Sequence, residues 1–214
     1  MLMDYKTIKA NGSLEMVIKK SRFICHAYRI SSEIEAKEII NEIKKEHYRA
    51  NHNCSAYTLG LKQEIQRFSD DGEPSGTAGI PMLEILKKLE LVNCLVLVTR
   101  YFGGIKLGTG GLIRAYGNSA KETIQHIGIV ESHLLQGIRI LIDYQLYNQL
   151  ENDAKLYQYQ LENLVFTDRV SADIYIRIAD SASFINALNN RMNGKITIQT
   201  GEQTYREVDY LPQK

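Results

Sequence analysis

Long apolar runs are missing from this sequence. The longest, such as Cys94 to Val98 and Ile138 to Ile142 with Arg139 inside, fall far short of the roughly 20 residues that cross a bilayer. Met1 to Asn11 is mixed and polar, without the basic, apolar and small-residue succession of a signal peptide. Cysteine is scarce. Cys25, Cys54 and Cys94 make an odd count with no CxxC pair, so a disulfide framework is not expected and a reducing, cytoplasmic setting is. Excess charge of one sign is missing too. The 26 Lys and Arg oppose 25 Asp and Glu, which excludes a polyacidic tail and a strongly basic nucleic-acid coat. No Gly-x-Ser-x-Gly elbow and no HExxH is present.

What is present is an ordinary globular composition. Hydrophobic residues are 44% and charged residues 24% of 214, enough chain for one large or two small domains with a real core. Residues 1–136 hold 18 basic and 15 acidic groups, and residues 137–214 hold 8 and 10. That mild asymmetry permits nucleic-acid contact by the first part without requiring it.

Pattern divides the chain near residues 130–135. The first part reads as strands Glu15 to Lys19 and Arg22 to Arg29, then a helix from the Ser31-Ser32 cap with Glu35 as capping-box partner. Strands follow at Asn53 to Leu61 and Ile65 to Phe68, a polar loop at Asp70 to Pro81, and a short helix at Met82 to Leu89. A buried strand at Cys94 to Arg100 leads through a glycine loop into a helix at Leu112 to Ile127. After Gly128 the order becomes β-α-β-β-α-β, ending in a strand at Lys195 to Thr200, which is the ferredoxin-like signature. The expected domains are 1–132 and 133–214.

Four stretches carry candidate chemistry. In Arg100 to Arg114, Gly103, Gly104, Gly108, Gly110 and Gly111 follow a strand and precede a helix, the arrangement that offers backbone N–H groups to an anion. Arg100, Lys106 and Arg114 add cations. No Gly-Lys-Ser/Thr closes the loop, so it is not a Walker A motif, and the spacing is not GxGxxG; a tightly packed turn is the alternative. Asp70, Asp71 and Glu73 could bind a divalent cation, act as acid and base, form ion pairs, or cap a helix, Asp71 to Ser75 being the capping candidates. His52 and Cys54 fall on one strand face and suit either a thiolate nucleophile or a core-edge histidine beside a buried cysteine. Lys20 and Arg22 flank Ser21 beside Phe23, a pairing of cation and ring that suits unpaired bases.

Lys20-Ser21-Arg22-Phe23-Ile24, His52-Asn53-Cys54-Ser55-Ala56-Tyr57, Asp70-Asp71-Gly72-Glu73-Pro74 with Gly79-Ile80-Pro81, and Arg100-Tyr101-Phe102-Gly103-Gly104 with Leu107-Gly108 together resemble the YigZ/IMPACT family in order and spacing. The resemblance spans about residues 15–127. It implies a first domain of the ribosomal protein S5 domain 2-like fold and a ferredoxin-like second domain similar to domain V of elongation factor G. It also implies a role in regulating translation, as in the eukaryotic members, with RNA, the ribosome or a protein of the translation machinery as partner. The RWD-type domain of those members has no counterpart here, so their own partner is not implied. The expectation is a binding protein that uses no cofactor and no metal and makes no membrane contact. Arg100, Lys106, Arg114, Lys20, Arg22 and the loop glycines would hold phosphates. The alternative is an enzyme or small-ligand protein for a phosphorylated metabolite or nucleotide, with His52, Asp70, Asp71 and Glu73 as its chemical groups.

Overall fold

A computed structural model describes residues 4–210, which divide into two compact units: 4–132 together with 207–210, and 133–206. Among these residues no helix is long and apolar enough to cross a membrane.

The first unit opens with β1 (Tyr5–Ile8), followed by a hairpin of β2 (Gly12–Ile18) and β3 (Ser21–Arg29). Helix α1 (Glu33–Glu46) starts on Ser32, whose hydroxyl accepts from the N–H of Glu35. The carboxylate of Glu35 reaches back to the N–H of Ser31, one residue beyond the expected capping box. Strands β4 (His52–Leu59) and β5 (Ile65–Ser69), helix α2 (Gly79–Lys88), strand β6 (Cys94–Tyr101) and helix α3 (Thr109–Ile127) follow. The sheet runs β2-β3-β6-β4-β5, antiparallel throughout.

Central β6 explains the layering. Its residues alternate between two buried faces, as an unbroken apolar run requires. Cys94, Val96 and Val98 join Phe23, Cys54, Met82, Leu86, Tyr116 and Ile124 under α2 and α3. Leu95 meets Ile30, Ala36, Tyr57 and Leu59 under α1. Ile34, apolar and in phase by spacing, nevertheless faces solvent.

Both later helices begin three residues before the expected starts. Pro81 sits in the first turn of α2, where a missing N–H costs no hydrogen bond. The cap comes from a distance. Oδ1 of Asp70 accepts from the N–H groups of Ala78 (3.0 Å) and Gly79 (2.8 Å), and Oδ2 from that of Gly76 (2.8 Å). Asp70, just outside the expected capping stretch, is therefore the cap of α2.

Strand β7 (Ile129–Ile142) begins in the first unit, where Ile129 to Ser132 pair with β1, and continues in the second. The second unit adds α4 (Tyr147–Tyr157), β8 (Glu162–Phe166), β9 (Val170–Arg177), α5 (Ile178–Arg191) and β10 (Thr197–Asp209). Its strand order is β10-β7-β9-β8, the ferredoxin-like β-α-β-β-α-β arrangement. One sheet face packs Ile138, Ile140, Ile142, Ala172 and Ile174 on the two helices. The last strand is far longer than expected, and its end leaves the second unit. Glu207 takes two hydrogen bonds from Arg29, and the N–H of Tyr210 bonds the carbonyl of Ile129.

Candidate functional site

The acidic and glycine stretches meet at one end of the first unit's sheet. Register explains why. His52 on β4 and Phe23 on β3 both stand opposite Arg100, the next-to-last residue of β6. The chain leaving β6 therefore crosses the ends of both neighbouring strands.

Gly103 fixes that crossing. A Cβ on it would lie 2.0 Å from the backbone C and O of Lys20, so only glycine lets the two segments touch. The contact is sealed by Ser21, fully buried, whose hydroxyl accepts from the N–H of Gly103 at 3.1 Å. Asn51 holds the other side: its Oδ1 accepts from the N–H of Phe102 at 2.8 Å, and its own N–H bonds the carbonyl of Arg100. Lys19 and Lys20 form the hairpin tip with φ of 46° and 66°, left-handed values that non-glycine residues seldom adopt.

Beyond Gly103 the loop is open. Gly104 and Gly108 have φ of 83° and 72°, and a Cβ on either would meet nothing within 4 Å. Gly108 is the N-cap of α3 and offers no side-chain acceptor, so no side chain caps the first-turn N–H groups. Gly111 packs on Leu107, and Gly110 lies beside Arg114. Lys20, Lys106 and Arg114 are exposed and carry no ion pair among the described residues. Arg22 differs: both of its hydrogen bonds to Glu15 are 2.9 Å, which commits it to the neighbouring strand.

Arg100 is buried, not presented at the surface. Its Nη1 donates to Oε1 of Glu73 at 2.6 Å, and the same oxygen accepts from the hydroxyl of Tyr116 at 2.7 Å. Burial pushes the Tyr116 hydroxyl far above its ordinary range, so it stays protonated and donates. The rings of Phe23 and Phe102 lie against the guanidinium at 5.4 and 5.6 Å, and its Nε has no partner.

The remaining acidic residues diverge. Asp70 caps α2, and Asp71 accepts from Lys44 and from the N–H of Asn53, both at 2.6 Å. Among the described residues no group of three metal-ligating side chains converges. Cys54 is buried, with its thiol directed at the carbonyl of Asp70, and burial pushes it up to about 12. Of the two readings open for this pair, the geometry matches a buried cysteine beside a histidine that turns to Asp71 and Glu73.

The result is a cleft of about 480 Å³ walled by His52, Glu73, Arg100, Phe102, Lys106 and Thr109. Sequence reasoning missed Tyr116 and Asn51. Tyr116 could have been found: it lies four residues after Leu112 and four before Ala120, on the inward stripe of α3, where a buried hydroxyl needs a partner.

Comparison with known proteins finds relatives over most of the chain. The Impact N-terminal domain matches residues 19–124, and a domain of unknown function, DUF1949, matches residues 140–195. A protein of Bacillus subtilis (strain 168) named "IMPACT family member YvyE" is 48% identical over 97% of this chain and 95% of its own length. An "IMPACT family member" of Haemophilus influenzae is 32% identical, covering 92% of this chain and 97% of that protein. A solved structure described as "Crystal structure of an hypothetical protein" aligns with a TM-score of 0.60 at 29% identity, over 94% of this chain and 99% of its own.

Proposed function

This chain belongs to the IMPACT family, and on that footing we propose that it is a translation-associated regulator that binds RNA or a ribosomal surface through its first unit. The observation that carries the reading is the contact of Gly103 with the backbone of Lys20. It sets a hairpin tip bearing Lys19 and Lys20 against a glycine loop bearing Lys106, residues more than eighty positions apart in the chain. Exposed lysines, the uncapped start of α3 and the half-exposed ring of Phe102 then share one surface. Phosphates suit the cations and the N–H groups, and an unpaired base suits the ring.

Lys20, Lys106 and Arg114 meet phosphate directly in this reading. Arg100 and Glu73 shape the cleft from beneath, and Gly103, Gly104, Gly108, Gly110 and Gly111 let the backbone approach. Arg22, tied to Glu15, contributes field and not contact. Translation as the setting comes from the family, whose eukaryotic members regulate it.

Co-sedimentation with ribosomes across a salt series tests the proposal, beside a Lys20→Glu/Lys106→Glu/Arg114→Glu variant. All three side chains are exposed, so the variant retains the fold. Salt-sensitive pelleting that the variant loses is the expected result. No pelleting at low salt by the folded protein overturns direct ribosome binding. A saturable, magnesium-dependent mononucleotide site would then restore the small-ligand reading.

A further inference from the structure

His52 and Glu73 pose a bonding problem that phosphate does not solve. Nδ1 of His52 lies 2.9 Å from the carbonyl oxygen of Asp71. A carbonyl only accepts, so Nδ1 carries a proton, and in the singly protonated ring Nε2 presents a lone pair. That lone pair looks across 3.8 Å at Oε2 of Glu73, too far for a direct hydrogen bond. Oε1 of the same carboxylate already accepts from Arg100 and Tyr116, which fixes where Oε2 points. Both atoms belong to residues that wall the cleft. Whatever lies between them has to donate two hydrogens, one to each.

A phosphate oxygen has none to give and a hydroxyl has one, while a water has two but carries no identity to read. An amino group has two in one plane. We propose that the cleft reads an amino-bearing nucleobase (cytosine, adenine or guanine) whose exocyclic NH2 donates to Nε2 of His52 and Oε2 of Glu73 at once. The surroundings fit this ligand. Phe102 is 45% exposed at the rim and offers a stacking face, and Leu107 and Pro74 give the cleft apolar walls. Lys106 and Thr109 stand where the sugar-phosphate of the same nucleotide would run. A volume of about 480 Å³ accommodates one nucleotide. Uracil is rejected by the same geometry, because its O4 would set a third acceptor against the two already present.

The inference rests on the RNA reading, and the test separates the two. Full-length protein is titrated at pH 8 with eight-residue oligocytidylate, oligouridylate, oligoadenylate and oligoinosinate. Oligocytidylate is expected to bind at least about tenfold more tightly than oligouridylate, and oligoadenylate more tightly than oligoinosinate by a similar factor. His52→Ala, at a half-buried position outside the core clusters, brings both ratios close to one while the salt dependence persists. Glu73→Gln does the same if it folds, since the amide places a donor where the acceptor was. Equal binding of all four by the wild-type protein overturns base reading and leaves RNA binding intact. Binding of none overturns both. Cytidine monophosphate binding as tightly as the octamer overturns the RNA partner and makes a free nucleotide the ligand.

Discussion

In the first unit Arg100 and Glu73 meet with side chains 7% and 3% exposed, whereas in the second Arg139 meets Asp173 with the arginine 61% exposed. The two pairs use the same chemistry with the arginine at different depths, since Asp173 is itself only 12% exposed. The surface pair is bidentate, at 2.7 and 2.9 Å, and Asn163 completes the aspartate's second oxygen. The buried pair is not closed: Nε of Arg100 has no partner, and Oε2 of Glu73 lies 3.8 Å from Nε2 of His52, beyond direct hydrogen-bond reach. Burying a pair gains little stability over packed apolar residues of the same volume. It is this incompletely satisfied buried pair, at the wall of the cleft, that the proposed binding uses.

The largest expected effect breaks that pair. Glu73→Ala leaves a buried guanidinium unpaired and should cost about 3–5 kcal/mol in urea unfolding of the whole protein. Arg139→Ala removes a solvated arginine and leaves Asp173 the amide of Asn163, so it should cost clearly less, about 1 kcal/mol. If the two variants unfold alike, the contrast in depth has no energetic meaning.

Next is Gly103. Gly103→Ala forces a methyl into the backbone of Lys20 and should cost at least about 1–3 kcal/mol while separating the hairpin tip from the loop. Gly104→Ala meets no atom and carries only the left-handed penalty of about 1–2 kcal/mol. Loss of ribosome pelleting in the first variant but not the second would tie binding to the contact and not to glycine content.

Smaller again is the distant cap. Asp70→Ala frees three N–H groups at the start of α2 and should cost about 2 kcal/mol, read from the urea midpoint.

These residues also mark where the sequence was legible. The buried strand, the glycine loop and the β-α-β-β-α-β order stand out because each is a local pattern of apolar period or turn chemistry. The starts of α2 and α3 do not, since Gly79, Pro81, Gly110 and Gly111 read as loop when taken alone. Their helical first turns depend on Asp70 and on the tolerance of a first turn for proline. Strand β10 was legible only at its start because its later residues are mostly polar and exposed. Apart from Asn51 and Tyr116, the polar residues of the site were visible as residue types. What was not visible is division of labour: that Asp70 caps, that Asp71 holds Lys44, and that Glu73 alone turns inward. Those choices are made by pairings across 27 and 43 positions, to Arg100 and Tyr116, which no local pattern records.

The smallest effect separates the two units by pH. Burial holds the His26 imidazole below its ordinary value of 6.5, with His47 beside it acting in the same direction and Glu46 opposing. A depressed histidine favours the neutral form in the folded state. Its contribution is fully present above the unfolded value and is lost as the pH falls through 6.5 toward the folded one. In the second unit the carboxylates of Asp173 and Glu162 are held below their ordinary values, chiefly by hydrogen bonds from Arg139 and Arg206. Their contribution is present above the ordinary carboxylate range and lost only as the pH falls through their lower folded values. Mild acid should therefore loosen the first unit before the second. Hydrogen exchange at pH 7 and pH 5.5 would show protection falling in β3 and α1 while β7 residues 135–142 and β9 hold. His26→Gln should remove that early step, and a uniform loss across both units would break the distinction.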